Sequence, residues 1–220
     1  MTPSALRMAS TPHHLVPTDK RDGENYLRSS LRIGNTQRIA LQAGMINDIA
    51  CCQELARGFA GLSDWTLVLH DRHERSALDP FLVHLRQLNR GNLRLSLKPL
   101  PYDQIHRIIS SADVGLAFYH PKNAADVNFS RVSSSGKLPH YLQHGKPVLV
   151  STLPSLTEIV ESFECGIAIR APSNSEEVGA ALECILSKYA TFSANALVCF
   201  RERFEFGKFA QPLIEFCDRL

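Results

Sequence analysis

The sequence has almost no net charge, no dinucleotide glycine fingerprint and no long apolar run, and each absence removes a class of function. Its 24 basic and 22 acidic residues leave a formal charge of +2, without the basic balance of a dedicated nucleic-acid binder. No block of like charges marks an interaction tail. No stretch approaches the roughly 20 apolar residues that cross a bilayer. The start, MTPSALRMASTPHHLVPTDKRDGENYLRSS, lacks the apolar run of a secretory signal. A soluble, cytoplasmic protein with no integral membrane segment and no nucleic-acid partner is expected. The six cysteines (Cys51, Cys52, Cys165, Cys184, Cys199, Cys217) form no C-x-x-C pair. In a reducing compartment they read as small core residues, and no metal site is expected.

Hydrophobic residues make up 44% of the 220 positions, enough for a sizeable core. Residues 1–37 are rich in breakers and read as an irregular lead-in, with a short helix around Glu24–Leu31. From residue 38 to 220 short apolar runs alternate with amphipathic stretches of about ten residues. Strands are expected at Ile39–Ala43, Trp65–Leu69, Leu93–Leu97, Val114–Tyr119, Pro147–Ser151 and Cys165–Ile169. Helices are expected at Ile49–Phe59 (with Asp48 as N-cap), Leu78–Leu88, Tyr102–Ser110, Ser134–Gln143 and Leu156–Glu161. Three terminal helices follow: Glu176–Tyr189, Ser193–Phe204 and Phe209–Arg219. This alternation predicts an α/β fold: a doubly wound, Rossmann-like, six-stranded parallel sheet with helices on both faces. Ligands of such sheets bind at the carboxyl ends of the strands, where the strand order reverses. The loops 44–48 and 120–137 lie there.

Two nucleotide fingerprints fail. The P-loop needs glycine five positions before its Gly-Lys and a hydroxyl after it; here Gly136-Lys137 has Arg131 and Leu138 in those places. The G-x-G-x-x-G loop is absent, since Gly44 is followed by MINDIACC. What remains is a long loop, then Ser133, Ser134, Ser135, Gly136 and Lys137, then a helix. Free first-turn N–H groups and the helix dipole favour an anion there. Gly136 admits a close approach, and Lys137 supplies a point charge for a diphosphate. The plain alternative is a serine-capped helix with a solvated lysine.

The stretch SSSGKLPHYLQHGKPVLVSTLPSLTEIVE resembles the donor half of GT-B glycosyltransferases, specifically the retaining, group 1 type that uses nucleotide-diphosphate sugars. Their "SGKL-x-EYL-x-x-GKPV … S-x-x-EIV" pattern is matched by Gly136, Lys137, Leu138, Tyr141, Leu142, Gly145, Lys146, Pro147 and Val148, then Ser155, Glu158, Ile159 and Val160. IALQAGMIND is similar to the family's first strand and glycine loop, and LPYDQIHRIISSADVGLAFY to its "ADvgl" segment. The resemblance spans residues 26 to 206.

It implies a domain that binds a UDP- or GDP-linked sugar as substrate, with no cofactor and no metal, and transfers the glycosyl group to an acceptor. Ser133, Ser134, Ser135, Gly136 and Lys137 would hold the diphosphate. Gly44, Asn128, His140 and Glu158 would lie towards the ribose and sugar. The family's Glu-x7-Glu pair falls on Val132 and His140, and its basic residues on the first glycine loop are missing from MIND, so Lys137 would carry the diphosphate charge nearly alone. A GT-B enzyme has two such domains, so an N-terminal acceptor-domain partner chain is expected. A non-catalytic nucleotide-binding module, or a subunit of a split enzyme, is the alternative. His70-Asp71-Arg72-His73-Glu74 reads as a solvated loop, with a minority reading at the border of the donor cleft.

Overall fold

The computed structural model describes residues 25–120, 136–217 and 219. Six strands form one all-parallel sheet in the order β3-β2-β1-β4-β5-β6. They are β1 (Arg38–Gly44), β2 (Trp65–Asp71), β3 (Leu93–Ser96), β4 (Val114–Ala117), β5 (Val148–Ser151) and β6 (Gly166–Ile169). The described helices are α1 (Tyr26–Leu31), α2 (Cys52–Phe59), α3 (Pro80–Leu88), α4 (Ile105–Ser110, preceded by a 3₁₀ turn), α5 (Lys137–Gln143), α6 (Pro154–Ser162), α7 (Ser175–Ser187), α8 (Tyr189–Arg203) and α9 (Phe206–Cys217). The doubly wound sheet expected from the alternation of periods is therefore present.

Strand side chains alternate between the two faces, and each face has its own core. Ile39, Leu41 and Ala43 of β1 face one cluster with Leu27, Ile108, Ile109, Leu138, Tyr141, Leu156 and Ile159. That face is covered by α1, α4, α5 and α6. Ala40 of β1, Leu67 and Leu69 of β2, and Leu116 of β4 face the other, under α2, α3 and α7. Helix α8 contributes to both clusters. Both faces of a parallel sheet need cover, which is why the strands read as continuous apolar runs. No described helix is long and apolar enough to cross a membrane.

Several local expectations change. Helix α2 starts later than position 49, and Asp48 does not cap it. The N-cap is Cys51, whose φ of 52° is left-handed, while Asn47 Oδ1 accepts from the Ala50 N–H in a turn that precedes the helix. Asp48 instead accepts from the Gln53 side chain. Helix α3 begins at Pro80, two residues later than the expected Leu78, because Asp79 caps it by accepting from the N–H groups of Phe81 and Leu82, with Pro80 in the first turn. Four of the six cysteines are buried, but Cys184 and Cys217 are exposed. The short helix expected near residues 24–31 is α1; its Leu27 is fully buried and its Arg28 pairs with Asp113 at 3.5 Å.

The strand order reverses between β1 and β4. There the pairing is short: β1 matches β2 over seven residues but β4 only at Ala40–Val114 and Leu41–Gly115. The two strands part towards their carboxyl ends, which leaves main-chain groups of β1 to be satisfied some other way.

Candidate functional site

Tyr141 fills that gap. Its ring, on α5, is fully buried and lies flat against β4 at Gly115, where a Cβ would stand 2.2 Å from the Tyr141 Cγ. Only glycine leaves room for the ring. The Tyr141 hydroxyl donates to the Leu41 carbonyl at 2.8 Å and accepts from the Ala43 N–H at 2.8 Å. One side chain thus completes the β1 ladder where β4 has left it. Burial pushes the phenol's pKa up, so it stays a neutral donor and acceptor.

Above this point a cavity of about 630 Å³ opens at the carboxyl ends of β1, β2 and β4. Gly44, Met45, His70, Arg72, Tyr102, Tyr119, Gly136, Lys137 and His140 are among its lining residues, with apolar walls from Leu100, Ile105 and Ile109. Gly44 and Lys137 meet there. Gly44 ends β1 with φ +138°, and a Cβ on it would stand 3.0 Å from the Lys137 Cε. A side chain at position 44 would be strained and would also displace the lysine. The Lys137 ammonium lies 4.3 Å from the centre of the Tyr119 ring, a cation–π contact. Burial pulls its pKa down to about 8, and the nearby Arg72 guanidinium pulls the same way. No ion pair with an Asp or Glu is formed by Lys137 among the described residues. A half-buried cation without a carboxylate is poised for an external anion.

The loop after β1 is fixed from the strand beside it. Asp71, buried, accepts from the Ile46 N–H at 3.1 Å and from the His73 N–H at 3.0 Å. Arg75 bridges Asp71 and Asp79 at 3.4 and 2.5 Å and donates to the Ile46 carbonyl. Arg72 places its Nη2 3.4 Å from the Met45 sulfur, so a second cation hangs over the first loop. The missing basic residues of the MIND loop are thus offset by one from the loop after β2. Residues 70–74, expected as a solvated loop with a minority reading at the border of the donor cleft, divide between the two, since His70 and Arg72 line the cavity. Arg72, His73 and Glu74 are exposed, but His70 and Asp71 are buried as the last residues of β2. The signal was faint: two polar residues that continue an apolar strand.

The other expected residues divide as follows. Gly44, Gly136, Lys137 and His140 come together in the cavity lining. His140 is half-buried, with its ring edge-on to Tyr102 at 5.9 Å and 69°, and burial lowers its pKa. Glu158 is exposed on α6 and is not among the lining residues. Ser133, Ser134, Ser135, Asn128 and Val132 lie outside the described residues. No group of three or more His, Cys, Asp or Glu suited to a metal ion occurs among the described residues.

No family model and no curated protein matches the chain. Solved structures do. HepE from Anabaena, in complex with UDP and glucose, is 17% identical with a TM-score of 0.67, over 91% of this chain and 53% of that one. A sucrose-phosphate synthase from Thermosynechococcus elongatus is 17% identical with a TM-score of 0.63, over 87% and 47%. The C-terminal domain of LpcC, a glycosyl transferase group 1 family protein from Francisella tularensis, is 13% identical with a TM-score of 0.57, over 84% and 94%. The chain spans about half the length of the first two and nearly all of the third. It therefore has the fold of one domain of the group 1 glycosyltransferases of GT-B architecture, the C-terminal one.

Proposed function

We propose that this domain binds a nucleotide-diphosphate sugar, UDP- or GDP-linked, and presents it for glycosyl transfer. The observation that carries the reading is Lys137: a half-buried cation, without a carboxylate, held between Gly44 and Tyr119 at the mouth of a cavity where the strand order reverses. The diphosphate would lie against Gly136 and Lys137, and against Gly44, whose contact with Lys137 moves it there from the ribose and sugar end that the resemblance implied, with Arg72 as the second positive charge and Ser133, Ser134 and Ser135 contributing amides and hydroxyls. The HepE complex with UDP supports a nucleotide in this fold. Catalysis would consist of orienting the donor and stabilising the charge that develops on the departing diphosphate. Asn128, His140 and Glu158 remain candidates for the ribose and sugar. The acceptor and any base acting on it would come from an N-terminal acceptor domain in a partner chain. A cytoplasmic location belongs to the same reading.

One observation favours a non-catalytic nucleotide-binding module instead. The place where the resembling enzymes carry the second acid is held by His140, which burial keeps neutral. Calorimetric titration with UDP and GDP tests binding, and release of free UDP from a UDP-sugar tests chemistry. Saturable binding that Lys137→Ala weakens at least tenfold supports the donor site. No binding at millimolar nucleotide removes both readings, while binding without turnover in the presence of an acceptor domain leaves the module.

A further inference from the structure

The cavity has two unlike ends. Across the tips of β4 and β1 it carries Lys137, Gly136 and Tyr119. Two strands further, towards β2 and β3, it carries His70 with Leu100 and Tyr102, which follow β3. Neighbouring strands lie about 4.8 Å apart, so the ends are separated by about 10 Å, a distance that suits the span from a diphosphate to a base. His70 stands in register with Ser96 of β3. Its Nδ1 is 2.9 Å from the Ser96 hydroxyl, which fixes the ring's orientation. The residue is 1% exposed and lines the cavity, and the one side-chain hydrogen bond found for its ring among the described residues is that of Nδ1 to Ser96. An imidazole in a cavity wall with one nitrogen engaged offers the other to a ligand hydrogen bond.

Burial holds the His70 pKa down at about 4, against smaller upward pulls from Asp71 and Ser96. The ring is therefore neutral at physiological pH and offers a phosphate no countercharge. Its surroundings, Leu100, Ile105 and Tyr102, suit a flat uncharged group. We propose that His70 reads the base of the bound nucleotide, presenting Nε2 to a hydrogen-bonding edge of the ring, with Ser96 as the positioning residue that sets the imidazole. The proposal rests on the nucleotide-sugar reading and adds to it the determinant of base choice.

The test compares UDP, GDP, ADP, CDP and inorganic pyrophosphate, titrated into the full chain and into His70→Leu, Ser96→Ala and Lys137→Ala. One nucleotide should bind best to the wild type. His70→Leu should weaken that one about fivefold to tenfold, the worth of one hydrogen bond left unmade, and shrink the preference, with pyrophosphate affinity unchanged. Ser96→Ala should shrink the preference in the same direction but less. Lys137→Ala should weaken every ligand, pyrophosphate included. A His70→Leu protein that keeps the wild-type preference overturns the proposal and leaves the donor site standing, as does one that weakens pyrophosphate equally. A wild type that binds no nucleotide and no pyrophosphate overturns both.

Discussion

Removing one oxygen atom, in Tyr141→Phe, tests how the switch point is built. The hydroxyl satisfies two main-chain groups of β1, the Leu41 carbonyl and the Ala43 N–H, each at 2.8 Å. The side chain is 0% exposed, so water cannot replace it without a rearrangement. Each buried group left unpaired costs about 1–3 kcal/mol, and the loss of both should total about 2–6 kcal/mol. For a domain of this size 1 kcal/mol moves the melting temperature by about 2–4 °C, so Tm should fall by about 4–24 °C. The denaturant midpoint should drop with its slope unchanged, because phenylalanine keeps the ring and the buried area. The same variant should weaken UDP binding, since Ala43, Gly44 and Tyr141 all line the cavity. A midpoint within about 0.5 kcal/mol of wild type would refute the claim that this hydroxyl completes the β1 ladder.

Four further outcomes are expected. Gly115→Ala should cost at least about 2 kcal/mol by overpacking, because its Cβ would meet the Tyr141 ring at 2.2 Å; the cost should shrink in a Tyr141→Leu background, measured by a double-mutant cycle in urea. Lys137→Met should raise stability at pH 7 and abolish UDP binding, a trade of stability for function. The sign follows from a folded-state pKa of about 8 against an ordinary 10.5: the charged form is disfavoured in the fold, so the wild type is penalised below pH 8, and the gap between the two proteins should close as pH rises from 8 to 10.5. UDP affinity of the wild type should likewise fall as pH rises above about 8, when Lys137 loses its charge. Asp71→Ala should cost about 3 kcal/mol, since it leaves the Ile46 N–H without its acceptor and Arg75 without its buried partner, and Asp71→Asn should recover part of that in thermal melts.

How far the sequence speaks depends on the range of the interaction. Strand and helix order was legible because period and burial are local: residues such as Ile39, Leu41, Val148 and Val150 announce a sheet covered on both faces. Lys137 and Gly44 were legible as candidates, since a glycine at a strand end and a lysine at a helix start each carry a local signal. Their contact was not, because 93 positions of chain separate them and only the fold brings them together. His70 and Arg72 were hidden for a related reason. A polar run after a strand looks solvated, and nothing in its neighbours says that β2 continues to Asp71 and turns His70 towards Ser96. Asp48 misled in the opposite way: it has the chemistry of an N-cap, but Cys51 in a left-handed conformation delays the helix.

The most direct test is a crystal structure of the full chain grown with UDP or GDP. The account predicts density for the diphosphate against Gly44 and Gly136, within hydrogen-bonding distance of the Lys137 ammonium, with the base running towards His70 and Tyr102. A nucleotide bound elsewhere, or a Lys137 side chain that stays on Tyr119 and touches no phosphate oxygen in a nucleotide-bound crystal, would contradict it.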